Sequence, residues 1–337
     1  VTEVTPRQVP SGQAITYMDA RRVANLLAAG RSLETRRSYA SAIRTFSRWC
    51  QHRHYPDMPT SAEVVAAFIA YRASSVTHST ISRDVAAISA LHLDSGLEDP
   101  TTHHGVRLAL RSVGRSHGTA PSRRAAPVTT DAMRHIIESM DDLHTSVGKR
   151  DRAILLIGLA AAQRRSEVAD LTTKDLTRLD TGLLVRIRRS KTDQTGKGDV
   201  IGVPLGEHSE TCPVLAIEDW LEVSGRKIGD GKPLFSRIFN HASIAKTKLS
   251  DRSIARIIQA RATAAGITGK EYSQVFGTGS WISGHSLRAG HATSAAEAGL
   301  DPMTIARTTR HRRLDSLSRY VRPASAVDDS TAGKIGL

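Results

Sequence analysis

The chain has 337 residues, 39% of them hydrophobic, room for two domains with separate cores, and no run of 18 apolar residues that could cross a membrane. Lysine and arginine number 47 against 33 aspartates and glutamates, and the net charge of +14 favours a polyanionic partner, nucleic acid being the usual one. Aromatic residues at 4% argue against base-stacking RNA modules, and Cys50, Cys212 and the His103-His104 pair have no metal-ligand spacing around them, so no cofactor is expected.

Residues 1–16 contain Pro6, Pro10, Ser11 and Gly12 with no period and read as a flexible arm; they lack an export signal, so a cytoplasmic, nucleoid-associated protein is expected. Residues 17–115 then read as an all-helical domain. Val23, Leu26 and Leu27 share the face of a first helix that Gly30 stops. Ser32 caps a second, whose apolar face is Tyr39, Ile43, Phe46 and Cys50 and whose other face carries Arg36, Arg37, Arg44 and Arg48. Thr60 to Glu63 is a capping box opening a third helix. A fourth begins near Ser79, with Ile81, Val85, Ile88 and Leu91 inside and His78, Ser82 and Arg83 outside. Pro100 and Thr101 start a fifth through Val106, Leu110 and Val113. The arginine faces are candidates for phosphate contact.

Residues 116–127 hold Gly118, Pro121, Pro127 and the pair Arg123-Arg124, and read as a basic linker that could also contact DNA. The second domain, residues 128–337, opens with Thr129 or Thr130 capping a helix through Met133, Ile136 and Ile137. Ala153 to Ala162 is nearly all apolar and predicts the buried spine of this domain. It ends in Gln163-Arg164-Arg165-Ser166-Glu167, and arginines at the end of a buried helix are costly unless paired or given an anion. Alternating stretches at 175–179, 183–188 and 200–204 predict a small antiparallel sheet, with Lys191 on the second connection. A surface loop at 224–233 precedes helices that resume near Ser250.

Near the C-terminus, Gly284-His285-Ser286-Leu287-Arg288-Ala289-Gly290 is followed by His311 and then by Tyr320, which cations flank on both sides. On a helix, His285 and Arg288 would share one face and converge on an anion. A phenol among cations suits attack on a phosphate, although an isolated HxxR pair or C-terminal Tyr is more often a surface pattern.

Taken in order, Arg164 to Glu167, Ser190-Lys191-Thr192, His285 to Arg288, and His311 with Tyr320 resemble the tyrosine recombinase (phage integrase) family, its Cre-like members in particular. The resemblance covers residues 20–337. It implies a mainly α chain with a small antiparallel sheet: a helical core-binding domain and a mixed α/β catalytic domain that close as a C-shaped clamp on double-stranded DNA. It further implies a homotetramer acting at inverted repeats without metal or ATP. By the same resemblance Tyr320 is the nucleophile, Arg164 and Arg288 hold the non-bridging phosphate oxygens, and Lys191 protonates the leaving 5′-oxygen. His285 is the general acid/base, His311 a hydrogen-bond donor, and Glu167 the acidic residue that steadies the site. The chain departs from the family pattern at Gln163 and at Thr309-Arg310, where Leu-Gly is usual, so the turn before the tyrosine is expected to differ. The segment 327–337 resembles the family's docking tail. A type IB topoisomerase and a non-catalytic DNA-binding protein are the competing readings.

Overall fold

A computed structural model describes Met18 and residues 30–119, 123–188, 198–240, 243–272 and 279–311. The chain divides into two compact units, Val1–Pro121 and Ser122–Leu337. The expected first helix, Lys191, Tyr320 and the tail lie outside the described residues, Met18 excepted.

In the first unit, α1 (Leu33–Arg53) begins where Ser32 Oγ accepts the Thr35 N–H, and buries Phe46, Trp49 and Cys50. The third predicted helix, α2 (Ala62–Ala73), is capped by Ser61, whose Oγ accepts the Val64 N–H; Thr60 instead spends its backbone N–H on His92 Nε2. His92 is fully buried and its Nδ1 faces the Ile88 carbonyl, so the ring donates at one nitrogen and accepts at the other. Next, α3 (His78–Asp94) turns Ile81, Val85 and Ile88 inward. Pro100–Thr102 is a single 3-10 turn rather than the start of the last helix, because His103 takes the capping position of α4 (His104–His117) through the Gly105 N–H. Phe46 and Phe68 meet edge to face, with ring centroids 5.1 Å apart, at the centre of this core.

The second unit is built on α6 (Ser146–Ala160), preceded by β1 (Arg123–Ala125) and α5 (Thr130–Glu138). Ile154, Leu155 and Ile157 are fully enclosed; burial on this scale contributes about 1.5–3 kcal/mol per side chain. The strands β2 (Leu176–Leu179), β3 (Gly182–Ile187) and β4 (Asp199–Pro204) form the predicted antiparallel sheet in the order β2-β3-β4. A second hairpin, β5 (Ser236–Phe239) with β6 (Ser243–Lys248), follows α8 (Pro213–Ser224) and leads into α9 (Asp251–Ala264). The chain then forms β7 (Gly279–Trp281), α10 (Ser286–Glu297) and α11 (Pro302–Thr309).

The expected linker is only partly a connector. Its residues Arg123 to Ala125 pair in parallel with β7, and Val128 N–H donates to the Ser286 carbonyl at 3.0 Å. The chain entering the second unit is thus stitched to the segment that carries His285. Gly290 makes this contact possible, since a Cβ there would stand 1.6 Å from the Val128 carbonyl oxygen.

Candidate active site

The C-terminal end of α6 organises the site. A helix leaves its last carbonyls without intrahelical donors and carries a partial negative charge at that end, so it attracts cations. Ala162, at φ 47°, turns the chain sharply out of α6 in a left-handed conformation and leads to Arg164 at the entrance of α7 (Arg165–Asp170). Arg288, in the first turn of α10 and 3% exposed, donates from Nη1 to the Ala162 carbonyl at 3.0 Å. Arg310, just after α11, reaches the same oxygen through Nη2 at 3.2 Å and the Ala161 carbonyl through Nη1 at 3.2 Å.

Glu167 completes the cluster. Its Oε1 accepts from Arg164 Nη1 at 2.5 Å, while Oε2 accepts the Arg164 backbone N–H at 3.0 Å and Arg310 Nη2 at 2.7 Å. The Glu167 side chain is 3% exposed, so the interactions are little screened by solvent. Two guanidiniums, those of Arg164 and Arg310, share one carboxylate here while Arg288 is held on the Ala162 carbonyl, and the surplus positive charge is what an incoming phosphate would neutralise.

His311 sits beside these cations. Its Nδ1 lies 2.7 Å from Thr309 Oγ1, and that hydroxyl is 2.6 Å from the Ile305 carbonyl. Only the hydroxyl can donate to the carbonyl, so the imidazole donates through Nδ1–H and its Nε2 is an acceptor in the neutral ring. Burial, and then Arg288, Arg164 and Arg310, lower the His311 pKa to about 4. Donating to a phosphate oxygen from Nε2, the role expected of it, therefore requires proton uptake, which a bound anion favours. Because the folded value lies below the usual His pKa of about 6.5, neutral His311 supports folding above that pH and this support is lost as the pH falls toward 4. The His311 imidazole proton shifts are expected to titrate near pH 4 in the DNA-free chain; a midpoint near 6.5 would remove the ring from the cluster.

His285 is exposed and occupies the capping position of α10, where its carbonyl accepts the Ala289 N–H at 3.0 Å, one residue before the turn that carries Arg288. Gly284 lets the turn close over Arg165, whose Cδ would stand 2.5 Å from a Cβ at that position. The structure thus brings Arg164, Glu167, Arg288 and His311 together, with His285 on the adjoining turn.

In the first unit Arg36, Arg37, Arg44 and Arg48 are all exposed along α1. Arg83 is exposed but paired with buried Asp84 at 3.1 Å, Ser82 Oγ bonds back to the His78 carbonyl, and the His78 ring lies against Gly114 of α4. Arg124 is half-buried in β1, as is Arg164 at the site. Among the described residues no group of His, Cys, Asp and Glu could hold a metal ion, and no helix is long and apolar enough to cross a membrane.

Two residues that the sequence marks only as departures from the family pattern are buried in the structure. Arg310 had registered only as a departure from a Leu-Gly pattern; the hint was a long cation at a position where the chain needs a helix-ending turn. Gln163 is 1% exposed, and neither of its side-chain polar atoms has a hydrogen-bond partner among the described residues.

Residues 127–326 match the phage integrase family model. The chain belongs to the phage integrase family. The integrase/recombinase XerD homolog of Selenomonas ruminantium is 33% identical over 89% of this chain and 85% of its own length. Recombinase Cre of Escherichia phage P1 is 26% identical over 88% and 85%, so the sequence does not single out the Cre-like members. XerH in a post-cleavage complex with a palindromic difH substrate shares the fold at a TM-score of 0.63 and 16% identity, over 96% of this chain and 84% of that one. A λ integrase dimer bound to a COC′ core site superimposes at 0.55 with 17% identity, over 92% and 82%. A λ integrase tetramer on a Holliday junction does so at 0.53 with 16% identity, over 91% and 78%. This phage integrase family member is a tyrosine recombinase, an enzyme of site-specific DNA recombination.

Proposed function

We propose that this recombinase cuts and rejoins duplex DNA through a 3′-phosphotyrosyl intermediate on Tyr320 and exchanges strands through a Holliday junction. The observation that carries this reading is the convergence of Arg164, Arg288, Glu167 and His311 at the end of α6. The Tyr320 oxygen attacks phosphorus, the bond from phosphorus to the 5′-oxygen breaks, and the phenolic proton passes to His285. Lys191 supplies the proton that the leaving 5′-oxygen takes up. Arg164 and Arg288 hold the non-bridging oxygens as charge builds on them, a task that guanidinium forks perform with fixed geometry. Because the phosphotyrosyl ester retains the energy of the phosphodiester, religation needs no ATP, and the arginines supply the charge that a metal would otherwise bring.

The exposed arginines of α1, together with His78, Ser82 and Arg83 on α3, contact DNA in this reading, and Arg123 and Arg124 follow the backbone where the chain enters the second unit. Four copies assemble on inverted-repeat sites, in the cytoplasm with the nucleoid. The test is recovery of DNA covalently attached to the chain from expressing cells, followed by sequencing. Adducts at one recurring inverted repeat are expected. Adducts without sequence preference would replace this reading with a topoisomerase, and tight binding with no adduct would leave a DNA-binding protein.

A further inference from the structure

We propose that Arg310 is a positioning residue of the cleavage site, a clamp that fixes Glu167 and the turn carrying His311 so that Arg164 and Arg288 meet the phosphate in a set geometry. The proposal rests on the strand-cleavage reading above. Its first support is the backbone. Arg310 ends α11 at φ 55° and ψ 43°, and its N–H closes onto the Ala306 and Arg307 carbonyls. A left-handed residue of this kind is free for glycine and costs other residues about 1–2 kcal/mol. The turn thus has the shape a glycine would give it, contrary to the difference expected from the sequence, and the side chain must return the cost.

The side chain does so without facing an open phosphate pocket. It is 5% exposed, and both terminal nitrogens are already engaged: Nη2 by Glu167 Oε2 at 2.7 Å and the Ala162 carbonyl at 3.2 Å, Nη1 by the Ala161 carbonyl at 3.2 Å and the Thr308 carbonyl at 3.3 Å. Nε, the third nitrogen, is buried without a hydrogen-bond partner among the described residues, and a guanidinium whose two outer nitrogens are both taken up by carbonyls and a carboxylate acts as a strut, not a phosphate ligand. What it joins matters for the chemistry. Glu167 is hydrogen-bonded to Arg164 through two atoms, the Ala162 oxygen is shared with Arg288, and the residue after Arg310 is His311. One side chain therefore fixes the two arginine arms of the site relative to the turn that precedes Tyr320.

A lysine could keep the charge but reach only one of these acceptor sets, and alanine or glycine would reach none. The experiment uses the full chain and a nicked duplex carrying the site recovered from native adducts, with R310A, R310K and R310G compared for covalent-complex formation, DNA affinity and thermal midpoint. Expected are a 10- to 100-fold slower covalent step in R310A (~10–100, the scale of losing a site's supporting contacts), DNA affinity within about twofold, and partial recovery in R310K. R310G separates positioning from stability: relief of the left-handed strain raises its thermal midpoint above that of R310A, while the covalent step stays slow. In R310A the His311 titration also moves upward, since one of its cationic neighbours is gone. Native rates in R310A and R310G would overturn the proposal and leave the recombinase reading intact; no adduct from the native chain would overturn both.

Discussion

Tyr320→Phe is expected to abolish covalent attachment to DNA while leaving binding within about twofold of the native chain, because only the attacking oxygen is lost. A free phenol with a pKa of about 10 is ionised to only ~0.1% at pH 7, a deficit of about 4 kcal/mol that the arginine cluster and a base have to offset. Tyr320 is the single tyrosine in the stretch from Gly284 to Tyr320, and the serine and threonine hydroxyls there are far weaker acids than a phenol, so no residual route of comparable rate is expected. The fall should exceed about 10³-fold, the scale on which removal of an essential nucleophile registers. Gel-resolved covalent complexes on a nicked site provide the measurement. Adducts from the Phe variant at more than about 1% of the native yield, well above what a fall of about 10³-fold allows, would place the nucleophile elsewhere.

Glu167→Ala carries the largest expected loss of stability. It leaves the guanidiniums of Arg164 and Arg310, whose side chains are 13% and 5% exposed, facing one another without their shared carboxylate. Breaking a buried ion pair from one side costs about 3–5 kcal/mol, because the remaining charge stays desolvated. In a unit of this size the thermal midpoint should fall by about 10 °C. Glu167→Gln, which keeps the shape and one acceptor, should lose less. Calorimetry of the full chain can assign the change, since the residue lies wholly within Ser122–Leu337 and the transition of the first unit should not move. An unchanged second transition in the Ala variant would mean that the three groups do not share a buried cluster.

Much of this arrangement was legible before any coordinates. The spine of α6 is visible as a nearly all-apolar run from Ala153, and the cost of ending it in arginines points to the site. The three-stranded sheet showed in its alternation. What stayed hidden had no local signal. β1 and β7 are three residues each, too short for a period, and exist only because distant segments pair. The β5–β6 hairpin is largely exposed, so its strands lack the apolar alternation that marks a half-buried sheet. At the caps, Ser61 and His103 displaced Thr60 and Pro100-Thr101 because several capping-competent residues stood side by side and tertiary contacts chose among them. Arg310 was visible as an anomaly, but its burial follows from where α6 ends, which sequence spacing does not disclose.

The long reach of the contacts that close the second unit bears on how the protein is made. Thr130 N–H bonds to Ser294 across 164 positions, Arg310 to Glu167 across 143, and Arg288 to Ala162 across 126. Contacts so distant in sequence form late, because the loop must be closed before they repay it. During synthesis the helical first unit emerges complete while the α6 end still waits for α10 and the Arg310 turn. A chain that stops short of α10 therefore lacks the Arg288 and Arg310 contacts to the end of α6, and the cluster around Glu167 comes into being only after more than a hundred further residues have been made.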